Sequence, residues 1–245
     1  ETGERILMIT GYGSTETAPF AFTTTWPVDR PGMVGLPAAG LEVKLVPSAE
    51  KLELRLRGPS ITPGYWKDPA RTAESFDEEG YYMIGDALRF VDPDDVGRGF
   101  VFDGRVTEDF KLATGTWVNV AGLRAGIIAA CAPLCRDVVL AGLDRNYVAA
   151  LIIPNLEACA AIGDDAAVRA TFADRLGELA RQATGSSNHV ARAVVLAEPP
   201  SADAGEVTDK GSINQRAVLS RRAAIVEALY TDPPPPEIMM LPRGG

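Results

Sequence analysis

No stretch of this chain approaches eighteen uncharged apolar residues, so no membrane-spanning helix is encoded. A basic, apolar leader ending in small residues is also missing, and no secretory signal is read. Cationic side chains are the minority. The 24 lysines and arginines stand against 33 acidic residues, a net charge of −9 that repels a phosphate backbone. Nucleic acid is therefore not an expected partner, although a local pocket for a single nucleotide remains compatible with that average. Cysteine is scarce and odd in number, at 3, which argues against a disulfide framework and for a reducing cytoplasm. Cys131 and Cys135 stand one helical turn apart, a spacing that could chelate metal. With no histidine or third cysteine nearby in sequence, they are read as buried structural thiols. The chain opens Glu1-Thr2-Gly3 and runs straight into apolar residues, which is read as a cut through a larger protein.

What is present begins with that apolar run. Ile6–Ile9 reads as a buried strand, followed by Thr10-Gly11-Tyr12-Gly13-Ser14-Thr15-Glu16-Thr17-Ala18-Pro19. Small residues at a strand's carboxyl end let backbone approach a ligand, and such ends are where nucleotides sit in open α/β sheets. Tyr12 offers a flat face for a base, Thr15 a hydroxyl for a phosphate oxygen, and Glu16 a hard oxygen ligand for magnesium. By itself the turn reads more readily as an ordinary loop.

Residues 33–103 read as β-rich. Leu41–Val46 and Leu52–Gly58 alternate with period two around a Pro-Ser-Ala turn, predicting a hairpin. Short strands are expected at Tyr81–Ile84, Ala87–Val91 and Gly99–Val101, with one short helix near Thr72–Phe76. After Arg105 the texture changes. Helices are expected at Ala121–Ala132, Leu156–Ile162, Ala166–Ala183 and Asn214–Leu229. Strands are expected at Asp137–Leu143, Val148–Ile153 and Val190–Leu196, with an extended polyproline tail from Pro233. The domains expected are a piece of a larger domain at 1–32, a β-rich subdomain at 33–103, a small α+β domain at 104–230 and a Pro-rich tail at 231–245.

Three further places carry candidate chemistry. Gly80-Tyr81-Tyr82-Met83-Ile84-Gly85-Asp86 exposes a carboxylate at a strand end, suited to the vicinal hydroxyls of a ribose or to a plain turn. Asp103-Gly104-Arg105 followed by dense charge to Lys111 reads as a flexible joint with an arginine for ribose or phosphate, or as a solvated hairpin. Gly205-Glu206-Val207-Thr208-Asp209-Lys210-Gly211-Ser212 presents a lysine on a loop, where a mobile ammonium could meet developing negative charge.

Taken in this order, the four segments resemble the adenylate-forming enzymes, which include acyl-CoA and aryl-CoA synthetases, luciferases and the adenylation domains of peptide synthetases. Gly11–Glu16 is similar to that family's Tyr-Gly-x-Thr-Glu motif. Val34-Gly35-Leu36-Pro37 resembles its Gly-x-Pro segment, and Gly64-Tyr65 through Thr72 its Gly-Tyr-x-x-x-Pro-x-x-Thr run. Phe110–Gly115 and Thr208–Arg216 look like the branch that includes feruloyl-CoA synthetases.

The resemblance implies a β-barrel-like subdomain followed by a small, mobile α+β lid, an α+β fold overall. It also implies an ATP-dependent acid–CoA ligase acting through an acyl-AMP, on an aromatic or a fatty acid, with ATP or AMP, Mg²⁺ and coenzyme A as cofactors. Tyr12 would stack on adenine beside Gly11 and Gly13, Thr15 would contact the α-phosphate, Glu16 would ligate Mg²⁺, and Asp86 and Arg105 would hold the ribose. Lys210, the only lysine in its loop, would bridge carboxylate and α-phosphate. An ungapped match of the usual Ser-Gly-Lys motif puts Ser212 at the lysine position instead, and Thr107 stands where the usual hinge aspartate or lysine would be. The family's Ser/Thr/Gly-rich phosphate loop with its lysine is not found, and Thr23-Thr24-Thr25 is no substitute. The expectation is thus a carboxyl-terminal portion, inactive alone, whose partner is the amino-terminal portion of the same enzyme. The alternative is a non-catalytic AMP-binding or partner-docking remnant.

Overall fold

The computed structural model describes residues 9–28, 30–49, 51–208 and 210–243. Most of the expected Ile6–Ile9 strand, residues 6–8, lies outside them. The chain divides into two compact units, Glu1–Thr107 and Glu108–Gly245.

The first unit holds β1 (Gly11–Tyr12), β2 (Phe22–Thr23), β3 (Met33–Pro37), β4 (Glu42–Ser48), β5 (Lys51–Arg57), α1 (Pro69–Glu74), β6 (Tyr82–Phe90) and β7 (Phe100–Arg105). The strands form one sheet in the order β1-β2-β3-β7-β6-β5-β4. Period-two alternation sets its faces. In β5, Leu54 and Leu56 are fully buried against Phe22, Val34, Leu88 and Phe100. The intervening Arg55 pairs with Glu53 at 2.7 Å and Asp77 at 3.1 Å on the other face. The β4–β5 hairpin forms as the alternation predicts.

Several expectations change here. The expected barrel-like subdomain is formed by an open sheet, with β1 and β4 at its edges. Residues 11–23 supply β1 and β2 to the same sheet as β3. Tyr81–Ile84 and Ala87–Val91 are one strand, because Gly85, at φ 77°, sits at a bulge that shifts register without ending the pairing. Gly104 and Arg105 lie inside β7, and the chain divides after Thr107, so the pair closes the first unit instead of opening the second.

The second unit contains β8 (Phe110–Lys111), β9 (Trp117–Val118), α2 (Val120–Ala130), β10 (Cys135–Ala141), β11 (Val148–Pro154), α3 (Leu156–Ala160), α4 (Asp165–Arg181), β12 (Val190–Val195), α5 (Gln215–Arg221), α6 (Ala223–Ala228) and β13 (Met239–Met240). Its main sheet runs β10-β11-β12-β13, with β11 and β12 parallel across the α3–α4 crossover. The central strand β11 is apolar on both faces. Val148, Ala150 and Ile152 pack with α2 and α4 residues such as Ile127 and Phe172, while Ala149, Leu151 and Ile153 pack with Val218 and Leu229. Helices start at side-chain caps: Asn119 to Gly122, Asp164 to Ala167 and Asn214 to Ala217.

The expected single helix Asn214–Leu229 is two helices broken at Arg222, at φ −101° and ψ 30°. The tail is not simply extended polyproline. After its prolines, Met239 and Met240 pair antiparallel with β12, and Ile238 and Leu241 are buried. All three cysteines are buried and unpaired. Burial pushes the Cys131 thiol up to about 11 and that of Cys135 to about 12, so neither is poised as a thiolate. No helix among the described residues is long and apolar enough to cross a membrane.

Candidate functional site

The glycine turn leaves β1 through Gly13, where a Cβ would stand 2.6 Å from the Pro19 carbonyl carbon, so only glycine fits the returning backbone. At Gly11 an added Cβ would meet nothing within 4 Å, so space stays open beside that strand. The following 3-10 turn, Thr15–Thr17, is closed by Thr17 Oγ1, which accepts from the Ser14 amide at 2.9 Å.

This turn brings Tyr12 to Asp86, a residue 74 positions away. The Tyr12 hydroxyl donates to Asp86 Oδ2 at 2.6 Å. Asp86 pairs in register with Arg105 across β6 and β7, and Arg105 Nε lies 3.3 Å from Oδ1. The strand pairing and the aromatic contacts of Tyr12 with Phe22 and Phe102 hold the three in place. Asp86 Oδ1 is buried and accepts no hydrogen bond among the described residues. Burial pushes the Asp86 carboxyl above its ordinary range, only partly opposed by Tyr12 and Arg105. Burial and the neighbouring carboxylate raise the Tyr12 phenol, which therefore stays a donor.

Glu16 sits beside a second group that motif spacing did not single out. Its Oε1 accepts from Tyr65 Oη at 3.0 Å, Tyr65 Oη is 3.4 Å from Tyr82 Oη, and the Arg71 guanidinium covers the Tyr65 ring at 4.1 Å. Burial works to raise the Glu16 carboxyl, but hydrogen bonds from its own backbone and Tyr65, with the Arg71 charge, hold it below its ordinary value. It is an anion at neutral pH. Thr72 Oγ1 accepts from the Tyr65 amide at 2.9 Å, which explains the spacing from Tyr65 to Thr72. Thr15 is exposed next to Glu16. Among the described residues no group of three or more His, Cys, Asp or Glu could cage a metal.

In the second unit, Lys210 is exposed at the tip of a small hairpin closed by the Val207–Ile213 bridge. The Thr208 amide donates to the Ser212 carbonyl at 2.8 Å, so Ser212 stands on the returning arm. Lys111, on β8, lies 5.5 Å from the Trp117 ring centroid. Glu206, at the foot of the Lys210 hairpin, is 3% exposed and bound by Arg222. Neither residue stood out in the sequence, where each is one charge among many. The structure thus brings Tyr12, Asp86 and Arg105 together, places Glu16 and Thr15 on the same turn, and carries Lys210 on the other unit.

Comparison with known proteins shows what the chain is similar to. Residues 110–233 match the family described as AMP-binding enzyme C-terminal domain, and residues 1–66 match AMP-binding enzyme. A carboxylic acid reductase of Segniliparus rugosus is 31% identical over 236 residues, covering 92% of this chain and 19% of its own length. A chloroplastic long-chain-fatty-acid–[acyl-carrier-protein] ligase of Arabidopsis thaliana is 26% identical over 240 residues, covering 92% of this chain and 33% of its own length. Among solved structures, the A domain of the Segniliparus rugosus carboxylic acid reductase, in complex with AMP and a co-purified carboxylic acid, aligns with a TM-score of 0.72 at 30% identity. That alignment covers 91% of this chain and 35% of the other. The chain spans between 19% and 33% of the length of these two curated relatives.

Proposed function

Because the chain belongs to the AMP-binding enzyme family, we propose that it is the carboxyl-terminal portion of an ATP-dependent acid–thiol ligase. In the first step a carboxylate oxygen bonds to the α-phosphorus of ATP, the bond to pyrophosphate breaks, and acyl-AMP forms. In the second, the thiol sulfur of coenzyme A bonds to the acyl carbon, the thiol proton is released, and AMP leaves. The observation that carries this proposal is Asp86: a buried carboxylate with one satisfied and one unsatisfied oxygen, beside Arg105. The vicinal hydroxyls of a ribose are donors that match it.

Each residue then has a task. Tyr12 is the ring for adenine, and the open side of Gly11 admits the nucleotide. Asp86 and Arg105 hold the ribose, and the exposed Thr15 hydroxyl reaches for the α-phosphate. Glu16 fits magnesium as one hard, anionic ligand and would hold it beside the phosphates. Bound there, magnesium supplies charge neutralisation to the phosphates. Lys210 offsets charge on the carboxylate and α-phosphate oxygens.

We place the site for the β- and γ-phosphates outside these 245 residues, since no Ser/Thr/Gly-rich loop with a lysine occurs within them, and expect no adenylation by this chain alone. Thr208–Arg216 and Phe110–Gly115 favour an aromatic acid of the feruloyl or cinnamoyl type. The Arabidopsis relative favours a fatty acid and a second acceptor, the thiol of a carrier protein. The buried, unpaired cysteines fit a cytoplasmic setting.

The test is pyrophosphate release and product thioester formation by the complete polypeptide with both acid classes and both thiols. Asp86→Asn is expected to raise the KM for ATP about tenfold or more, the cost of leaving ribose hydroxyls against a weaker acceptor. AMP binding without pyrophosphate release would instead support a non-catalytic remnant.

A further inference from the structure

The Lys210 hairpin is anchored by a charge pair for which packing alone gives no need. Glu206 precedes the first hairpin bridge by one residue. Its Oε1 accepts from Arg222 Nε at 2.9 Å, and its Oε2 accepts from Arg222 Nη2 at 3.1 Å and from the Ser201 amide at 2.9 Å. The Glu206 backbone is fixed as well, donating to the Ser201 carbonyl at 3.0 Å and accepting from the Asn214 amide at 2.9 Å. Two further Arg222 donors go to the carbonyls of Glu198, at 2.8 Å, and Pro199, at 3.1 Å. The two side chains are 4% and 12% exposed.

The pair therefore joins three segments: the strap after β12, the foot of the hairpin, and the break between α5 and α6. Apolar residues of similar volume would hold such segments together as well or better. A fork of this kind adds direction, because two parallel hydrogen bonds fix the carboxylate in plane and azimuth.

Resting on the assignment of Lys210 above, we propose that Glu206 and Arg222 are positioning residues that aim the Lys210 hairpin for the adenylation step. Among the described residues, the hairpin, seven residues from bridge to bridge, is defined by the Val207–Ile213 bridge and the bonds around Thr208. Its direction is set at its foot, four residues from the lysine.

The test uses the complete polypeptide. Glu206→Gln removes the charge and weakens the fork, and Arg222→Lys keeps the charge without the fork. Each is expected to slow acyl-AMP formation about tenfold or more, while thioester formation from supplied acyl-AMP stays within about threefold. In a Lys210→Ala background Glu206→Gln should add no further loss, because it acts only through the lysine. Amide exchange at Thr208 and Ser212 should quicken in both single variants. Additive losses, equal losses in both half-reactions, or unchanged exchange would overturn the proposal while leaving Lys210 in its role. No effect of Lys210→Ala would instead remove the assignment beneath it. If Glu206→Gln does not fold, Arg222→Lys supplies the same cycle. Failure of both to fold would mark the pair as structural and sink the proposal.

Discussion

Two buried carboxyl groups in this protein are shifted in opposite directions from their ordinary pKa values. Burial holds the Asp86 carboxyl above its ordinary pKa, so its ionised form is disfavoured in the fold. Glu206 is pulled down to about 2, first by the hydrogen bonds of Arg222. The sign of its linkage follows. Its folded pKa lies below the ordinary 4.5, so its contribution to stability is fully present above that pH and is lost as pH falls through about 2. Urea unfolding between those limits should show the wild type losing on the order of 2 kcal/mol more than Glu206→Gln. Parallel pH slopes for the two proteins would contradict the pairing. Asp86 has the opposite linkage: its folded pKa lies above the ordinary value, so its ionisation costs stability as pH rises.

At the scale of elements, the sheet of the second unit is stabilised by what packs on its two faces. Phe172 of α4 is fully buried among residues of β11 and α2, whereas Leu156 at the start of α3 is 60% exposed. Phe172→Ala should cost about 3–5 kcal/mol in denaturant unfolding. Leu156→Ala should stay within about 0.5 kcal/mol. Similar values for the two would mean that α4 is not packed as described.

Elements with this kind of signal were legible. The series Val168, Phe172, Leu176 and Ala180 advances one turn at a time, and β5 alternates cleanly between leucine and charge. What was hidden has local causes. Gly85-Asp86 looks like a strand end because a bulge and a turn use the same residues, and only the partner strands decide between them. β13 is two residues long and follows four prolines, too short for periodicity to register. The break at Arg222 falls in a sequence with full helical character; its side chain is drawn to Glu206, sixteen positions upstream. Tyr65, Arg71 and Tyr82 were invisible as a group because two distant segments, 65–71 and β6, bring them to Glu16.

At the scale of the whole molecule, the chain divides between Thr107 and Glu108 into one unit with Tyr12, Glu16, Asp86 and Arg105 and another with Lys210. We propose that rotation at the junction of Thr107 and Glu108 brings Lys210 to the α-phosphate for the first half-reaction and withdraws it for the second. The most direct measurement is the rate of each half-reaction in Lys210→Ala, made in the complete polypeptide. The account predicts that acyl-AMP formation falls on the order of 10²-fold or more, the loss expected for a preorganised cationic donor. Thioester formation from supplied acyl-AMP should change by no more than a few-fold, a difference of well under 1.4 kcal/mol in barrier. Equal losses in the two half-reactions, or a larger loss from Lys111→Ala than from Lys210→Ala, would contradict it.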